Sequence, residues 1–476
     1  MAGQAGASGE GWSSRWAFIM AAVGSAVGLG NLWRFPSEAG SNGGGAFVIF
    51  YILCVLLIGI PLLLSEALIG RHGRSSAVGS TRKVARESGA SEHWSILATI
   101  GTLAAFLILS FYSVIAGWVF YYIGVFAGDL LSSLSSGNLL GGAFAGQQAD
   151  EVQALLPALF ENNVTMIGMH ALFMLATVYA VARGVSGGIE KVATWLMPSF
   201  FVLIVGITVY GAFTGAFAEA LRFMFAFDPA RLLHGPVMLS ALGQAFFSLS
   251  LGSALMITYG AYADRQTNLA GTSAIIAGAD TAVAIIAGLA IFPIVFAAGL
   301  DVAAGPTLMF QTLPESFQAM PAGSLIGLLF FVMVFFAALT SSVSLLEAPT
   351  SWATHKFGWS RRNAAIGLGL LAFAIGILSA LSFNSLANWF PLNFVPLFEG
   401  QNFFGIVDKF TGQMLLPLGG LLTAIFVGWV ADRKLTDAEN GISGGLHLTW
   451  RFLVAWLCPV ALTLILVLGL FPNLMG

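Results

Sequence analysis

Long runs of apolar residues alternate with short polar segments along almost the whole chain. A helix needs about 20 apolar residues to cross the hydrocarbon core of a membrane. Eleven segments meet this requirement, and we number them spans 1 to 11 in chain order. They cover residues 16–39, 45–70, 95–128, 165–183, 190–213, 237–262, 269–299, 323–355, 362–382, 412–431 and 449–472. The pattern predicts an all-α, multi-pass membrane protein.

Composition narrows the classes of protein that fit. Of the 476 residues, 58% are hydrophobic and 9% are charged, whereas soluble proteins carry about 25% charged residues. Mean hydropathy is +0.88. These values exclude a cytosolic enzyme, a disordered protein and a nucleic-acid-binding protein, which would need a basic face. Cys54 and Cys458 both lie in apolar runs, which excludes a disulfide scaffold and a thiolate metal cluster.

Basic residues are distributed unevenly between the two sides of the membrane. With the amino terminus in the cytoplasm, fifteen Lys and Arg residues lie on the cytoplasmic side and four lie outside, namely Arg34, Arg222, Arg231 and Lys409. Such a bias predicts a cytoplasmic amino terminus and, with an odd number of spans, a periplasmic carboxyl terminus. Residues 1–14 lack the basic and apolar parts of a cleavable signal peptide, so span 1 is expected to be retained.

Spans 1 and 6 contain polar and glycine-rich interruptions at Gly24–Asn31 and Ser248–Ser253. Glycine disfavours a continuous helix, and Ser and Asn side chains can bond a freed backbone. Because span 6 follows span 1 by five spans, an odd number, the second five spans enter the membrane from the opposite side, as in an inverted repeat. The alternative is that these residues only allow close helix packing. The predicted units are a tail at 1–14, repeats at 15–215 and 216–431, and span 11 with the carboxyl terminus at 432–476.

Ionisable residues inside the spans are costly and need a reason. Glu66 could accept hydrogen bonds from an unwound helix, whereas Asp280 could be structural or could bind a cation. Glu347 could be an interface residue held by Lys and Arg. His170 is expected to be structural rather than a metal ligand. Side-chain and carbonyl oxygens predominate around the interruptions, which favours a monovalent cation over zinc or copper.

Several strings then resemble the neurotransmitter:sodium symporter family, in the family's order. They are GSAVGLGNLWRFP from Gly24, NGGGAF from Asn42, GIPLLLSEALIGR from Gly59, GQAFFSLSLG from Gly243 and FFAALTSSVSLLE from Phe335. Eleven spans with short termini resemble a bacterial member. The resemblance implies a five-plus-five inverted repeat with unwound spans 1 and 6, and an eleventh helix outside it. It also implies sodium-coupled uptake of an amino acid across the bacterial plasma membrane, and no enzymatic activity.

The resemblance also implies particular sites, which transfer position by position. The first sodium site would use Ala26, Asn31, Ser248 and Asp280. The second would use Gly24, Val27, Ala337, Thr340 and Ser341. The substrate pocket would be lined by Ser25, Ala26, Gly28, Ile108, Tyr112, Phe247, Ser250, Ser253, Ser341 and Leu345. The outer gate would be Phe247 with an Arg34–Asp408 pair, which forms when the site closes to the outside.

Departures from the family pattern indicate which class of substrate and which ions to expect. Ser25 stands where monoamine carriers place an aspartate, which favours an amino acid. Ser253 stands where many relatives carry a bulky residue, which favours a large apolar or aromatic amino acid. Asp280 and Ala284 replace an asparagine and a serine of the chloride-dependent carriers. The Asp280 carboxylate would supply the negative charge that chloride otherwise brings, so we predict no chloride requirement.

The cytoplasmic gate also departs from the family pattern. Gly9 and, roughly, Lys356 stand where relatives carry an Arg–Asp pair, so Trp12 packing and Tyr262 are expected to hold this gate. Gly188 and Pro198 are spaced as in the family's helix-breaking motif of span 5. Local unwinding there is expected to open a water path to the second sodium site.

Two other classes of function stay open. One is a substrate sensor or receptor on the same fold, which the missing Arg–Asp pair supports. The other is an intramembrane hydrolase using Ser25 and His170, although no G-x-S-x-G motif surrounds the serine and no orienting acid is evident. The predicted partners are a small-molecule substrate and the lipid bilayer. No nucleic acid is expected to bind, and no obligate protein partner is evident.

Overall fold

The computed structural model describes residues 11–228, 231, 234–303 and 305–471. Within these ranges the regular secondary structure is helical. In the described part of the chain, nine helices are long and apolar enough to cross a membrane, and a bent pair in span 1 makes up to ten. Spans 2 to 5 are Gly45–Gly73, Glu92–Ser135, Asn163–Ala182 and Val185–Thr214. Spans 7 to 11 are Leu269–Ala297, Gly323–Phe357, Arg361–Leu381, Phe403–Val430 and Gly444–Leu470.

Span 6 accounts for the difference between ten and the eleven predicted spans. It consists of two helices, Gly235–Ser248 and Leu255–Ala261, neither of which is long enough to cross a membrane alone.

Span 10 begins nine residues earlier than its pattern indicates. The Asn402 side chain accepts a hydrogen bond from the Gly405 N–H (3.1 Å) and caps the helix there. Asp408 therefore lies within span 10 rather than before it.

Span 1 is broken at its centre, as its interruption predicts. Its two halves, Arg15–Ala26 and Gly30–Ser41, are bent by 47°. Val27 between them is extended (φ −72°, ψ 112°), and the Gly28 N–H donates to Asn31 Oδ1 (3.1 Å). Because Gly28 does not bond back along the helix, backbone carbonyl oxygens of span 1 are available to other partners.

Span 6 is broken at the same relative place in the second half. Ser250, Gly252 and Ala254 have φ values of +52°, +77° and +60°. The Gly252 N–H donates to Glu66 Oε1 (2.8 Å), which confirms that Glu66 bonds the unwound backbone. A Cβ atom at position 252 would also lie 2.1 Å from the carbonyl oxygen of Leu416. Glycine is therefore required there both by the positive φ and by the lack of space.

The two broken spans lie at the centre of the bundle. The first half of span 1 packs against spans 5, 7 and 8, and spans 3 and 8 pack along each other beside it. Short helices at Leu308–Thr312 and Leu313–Gln318 lie between spans 7 and 8. The Tyr122 hydroxyl of span 3 donates to the Phe310 carbonyl there.

Two ends of the bundle are named here for use below. The N-terminal face carries Trp12, Glu190, Tyr262 and Arg361. The opposite face carries Arg34, Asp408 and the short helices after span 7.

Candidate functional site

One small cavity lies between spans 1, 3, 6 and 8, where the two broken helices meet. It is lined by all ten residues that the sequence predicts for substrate binding, namely Ser25, Ala26, Gly28, Ile108, Tyr112, Phe247, Ser250, Ser253, Ser341 and Leu345. Leu29, Gly30, Ser248 and Leu416 also line it. Its volume is about 40 Å³, which suits a few water molecules. A ligand with a large side chain therefore requires lining side chains such as Phe247 to move.

One end of the cavity exists because position 28 is glycine. A Cβ atom at Gly28 would lie 2.5 Å from Ser341 Oγ and 3.0 Å from Tyr112 Oη. The Leu29 N–H donates to the Tyr112 hydroxyl, with 3.4 Å between the nitrogen and Oη. Backbone N–H groups and a tyrosine hydroxyl are donors that suit a carboxylate.

Two serines add polar atoms to the cavity wall. Ser25 is 2% exposed, and within the described residues its hydroxyl has no hydrogen-bond partner. The Ser253 hydroxyl donates to the Ser250 carbonyl. Because buried hydroxyl groups are nearly always bonded, the Ser25 hydroxyl indicates a position where a ligand can supply the partner.

The four residues predicted for the first sodium site lie on or beside one oxygen-rich cluster. Asn31 Nδ2 donates to Asp280 Oδ1 (2.7 Å) and to Ser248 Oγ (3.0 Å), and Ser248 Oγ donates to Asp280 Oδ2 (2.6 Å). Tyr51 donates to the same carboxylate oxygen (3.0 Å). Ala26, at the break in span 1, lines the adjoining cavity. Asp280 is fully buried, so a negative charge there would call for a nearby compensating cation.

The five residues predicted for the second site form another oxygen cluster. The Ser341 hydroxyl contacts the carbonyl oxygens of Gly24 (3.2 Å) and Val27 (3.0 Å). Thr340 Oγ1 donates to the Ala337 carbonyl (3.0 Å). Three carbonyls and two hydroxyls suit a small hard cation, and an unwound helix provides such carbonyls.

The outer gate residues surround a larger cavity of about 470 Å³ on the opposite face. The Arg34 guanidinium lies over the Phe247 ring, 4.6 Å from its centroid, at a distance typical of a cation–π contact. Arg34 Nε is 3.7 Å from Glu38 Oε1. Asp408 lines the same cavity, whereas among the described residues the ion pair of Arg34 in this conformation is with Glu38. Pairing with Asp408 upon closure stays a prediction.

On the N-terminal face, Trp12 packs against the second half of span 6. Its ring lies 5.2 Å from the Tyr259 ring and 6.2 Å from the Tyr262 ring, and its Nε1 donates to the Tyr259 carbonyl (3.3 Å). Lys356 lies over the Trp352 ring (4.8 Å), whereas Gly9 lies outside the described residues. The Trp12 and Tyr262 side chains are thus in contact on the N-terminal face, and their role in a cytoplasmic gate stays a prediction.

Tyr262 also belongs to a buried charge network. Its hydroxyl donates to Glu347 Oε1 (2.7 Å), and Ser351 Oγ lies 3.2 Å from the same hydroxyl. Glu347 is ion-paired with Arg361. The basic partner predicted for Glu347 is thus present as Arg361, but the Glu347 side chain is fully buried rather than at the membrane interface.

Span 5 is helical throughout in this structure. Its first turn, Val185–Ile189, is π-helical, and Pro198 lies inside the following helix Glu190–Thr214.

His170 of span 4 packs against span 9, with its Nε2 3.2 Å from the Phe373 carbonyl and its ring stacked on that of Phe373. Ser25 lines the central cavity, so the structure gives no support to a Ser–His pair.

Comparisons with known proteins agree with this architecture. The model of the sodium:neurotransmitter symporter family matches residues 9–132 and 147–473. YhdH of Bacillus subtilis (strain 168), described as an uncharacterized sodium-dependent transporter, is 36% identical over 98% of this chain and 97% of its own length. Sodium-dependent nutrient amino acid transporter 1 of Drosophila melanogaster is 25% identical over 96% of this chain and 76% of its own.

Among solved structures, that of MhsT in complex with L-phenylalanine matches with a TM-score of 0.86 and 40% identity. The match covers 97% of this chain and 100% of that chain. The fold is thus that of a membrane transporter with two broken helices, and the predicted all-α multi-pass fold is confirmed. Of the eleven predicted spans, up to ten are long and apolar enough to cross a membrane in the described part of the chain. The chain belongs to the sodium:neurotransmitter symporter family. It is a sodium-dependent transporter and not an enzyme.

Proposed function

We propose that the protein imports an amino acid together with sodium by alternating access. The observation that carries the proposal is the adjacency of one cavity and two oxygen clusters at the breaks of spans 1 and 6. Ser248 and Ser341 each belong both to the cavity wall and to a cluster, so sodium and substrate would stabilise each other's binding. The complex of MhsT with L-phenylalanine supports an amino acid as the substrate class.

The amino acid would bind by its two charged groups. Its carboxylate would lie against Tyr112 and the backbone of Gly28 and complete the first sodium site. Its ammonium group would bond carbonyl oxygens of the unwound segments, since Ser25 offers no carboxylate to a lone amine. The small side chain of Ser253 favours a large apolar or aromatic amino acid.

Replacing Ser253 with phenylalanine tests this substrate class. Because Ser253 is buried in the cavity wall, a benzyl group would occupy the space of the substrate side chain, at an overpacking cost of about 1–3 kcal/mol for a large ligand. Competition assays should show a loss of about 5- to 150-fold in affinity for aromatic amino acids, with glycine or alanine affected less. Equal losses for small and large amino acids would contradict the proposal.

Two sodium sites are proposed, and replacement of Thr340 with alanine tests the second. The change removes one hydroxyl ligand, and a bond to a charged group is worth about 1.5–3 kcal/mol. The sodium concentration for half-maximal uptake should rise about tenfold or more. Thr463→Ala is the control, because that hydroxyl bonds the Pro459 carbonyl within span 11 (2.7 Å). Unchanged sodium dependence in Thr340→Ala would refute the second site.

We propose that transport does not require chloride, because Asp280 can supply a negative charge beside the first sodium site. Chloride would otherwise balance the first sodium ion, and a fixed carboxylate provides that charge. Ala284, one turn further along span 7, is fully buried and offers no hydroxyl to an anion. Uptake should therefore be equal in chloride and gluconate media.

We propose from the distribution of basic residues that the N-terminal face lies in the cytoplasm of a bacterial cell. In the proposed cycle, sodium binds from outside and stabilises the unwound segments, and the substrate then completes the first site. Phe247 closes over the substrate, and Arg34 shifts from Glu38 toward Asp408. Loss of the second sodium ion to the cytoplasm then releases the substrate. The inverted repeats, 15–215 and 216–431, are the proposed moving units.

Uptake of a panel of radiolabelled amino acids into proteoliposomes tests the whole proposal. An inward sodium gradient is compared with potassium, each in chloride and in gluconate. Accumulation that needs sodium and ignores chloride is the expected result. Sodium-promoted binding in detergent without accumulation would instead favour a sensor on the same fold. An absence of both would refute the proposal.

A further inference from the structure

Glu38 joins the two helices that carry the side chains of the outer gate. Its Oε1 lies 3.7 Å from Nε of Arg34, which is one turn earlier in span 1. Its Oε2 accepts hydrogen bonds from Ser240 Oγ (2.6 Å) and from Asn42 Nδ2 (3.3 Å). Ser240 belongs to the first helix of span 6, Gly235–Ser248. One carboxylate therefore contacts both broken spans, and each of its oxygens faces a different set of partners.

The contact between Glu38 and span 6 lies on the same helix face as Phe247. Ser240 and Phe247 are separated by about two helical turns, so their side chains point to one side of that helix. The Arg34 guanidinium covers the Phe247 ring. Phe247 in turn lines both the central cavity and the larger outer cavity. The position of Arg34 therefore affects whether the central cavity is open to the outer one.

Asp408 is a second carboxylate within the same surroundings. It lines the outer cavity together with Arg34 and Glu38, and all three residues also line an adjoining cavity between spans 1, 6, 10 and 11. An ion pair between Arg34 and Glu38 stays within span 1, whereas a pair with Asp408 would connect spans 1 and 10. Because Coulomb attraction falls with distance, a movement of Arg34 toward Asp408 gives up part of its attraction to Glu38.

We propose that Glu38 is a positioning residue of the outer gate, which competes with Asp408 for Arg34 and so favours the state open to the outside. The inference rests on the proposed function. The bond from Ser240 holds one oxygen of Glu38 and leaves the other directed toward Arg34. Closure of the outer gate then exchanges a pair within span 1 for a pair between spans 1 and 10. The balance between the two carboxylates sets how long the empty transporter stays open to external substrate.

The test measures how fast a charged thiol reagent, which does not cross the membrane, modifies a cysteine in the central cavity. Ile108→Cys places this thiol on span 3 in the cavity wall, and the native Cys54 and Cys458 are buried. The reagent is added to right-side-out membrane vesicles in sodium without substrate. Glu38→Gln should slow modification by about two- to fivefold, as expected for a half-exposed ion pair. The amide keeps a hydrogen-bonding group beside Ser240 but removes the charge.

Combination with Asp408→Asn separates competition from a structural effect. When Asp408 has lost its charge, Glu38→Gln should leave the rate of modification unchanged, because no competing carboxylate remains. Ser240→Ala should slow modification less than Glu38→Gln does and should add nothing to it. Glu161→Gln, an exposed residue between spans 3 and 4, is the control and should match the parent.

Two results would overturn the inference. One is unchanged or faster modification in Glu38→Gln. The other is equal slowing by Glu38→Gln with and without the charge of Asp408, which would show a structural effect. Both results leave the symporter proposal intact, because that proposal depends on sodium-dependent uptake by the parent. Absence of sodium-dependent uptake and of sodium-promoted binding in the parent would instead refute the proposed function.

Discussion

Asp280→Asn is expected to abolish sodium-dependent uptake in chloride-free medium. The carboxylate is fully buried and accepts hydrogen bonds from Asn31, Ser248 and Tyr51 at 2.6–3.0 Å. These neutral donors leave its charge to balance the bound sodium ion. Removing one partner of a buried charge pair costs about 3–5 kcal/mol, or at least about 100-fold in sodium affinity. The sodium dependence of uptake into proteoliposomes measures the loss.

Two variants complete this experiment. Asp150→Asn, an exposed residue on the short helix Ala149–Gln153 between spans 3 and 4, should leave sodium dependence unchanged. Asp280→Asn combined with Ala284→Ser should regain uptake only when chloride is present, because the serine hydroxyl and a bound anion replace the lost charge. Uptake by Asp280→Asn at parent sodium concentrations in gluconate would show that charge balance at this site does not depend on Asp280.

Gly28→Ala is expected to remove most substrate binding without unfolding the protein. The added methyl group would lie 2.5 Å from Ser341 Oγ and 3.0 Å from Tyr112 Oη, in the space proposed for the substrate carboxylate. Overpacking of about 1–3 kcal/mol corresponds to a loss of about 5- to 150-fold in affinity. Equilibrium binding at saturating sodium is the appropriate measurement.

The matched control for this substitution lies on span 3. A Cβ atom at Gly124 would meet no atom within 4 Å, so Gly124→Ala should retain parent affinity. Thermal unfolding of both variants then separates loss of binding from loss of fold. Parent affinity in Gly28→Ala would place the carboxylate elsewhere in the cavity.

The long apolar runs made most of the spans predictable, because the bilayer fixes how many apolar residues a helix needs. The cavity residues were predictable because the resemblance is strongest around Gly24–Pro36 and Gly243–Gly252, the strings that contain the two breaks. The bond from Gly252 to Glu66 followed from a physical rule, since a buried acid needs donors and an unwound helix has free N–H groups.

Other contacts were beyond prediction from this sequence. Leu416 is one leucine among many in span 10, and only the packing of that span brings it to the cavity. Ser13 donates hydrogen bonds to Glu190, which lies 177 residues further along the chain, and no local pattern joins them.

Two further contacts could have been predicted from the sequence. The Arg34–Glu38 pair is one, because residues four apart share a helix face. The Asn402 cap was a further readable signal for the start of span 10.

The buried carboxylate of Asp280 also determines the electrical character of the proposed transport cycle. A zwitterionic amino acid carries no net charge, and the carboxylate remains with the protein, so two sodium ions would bring two positive charges inward. A co-transported chloride would cancel one of them. Each charge gains about 2.3 kcal/mol per 100 mV, which is about 50-fold in the attainable concentration ratio. A cell with a strong membrane potential and little external chloride therefore gains the most from an acid at this position.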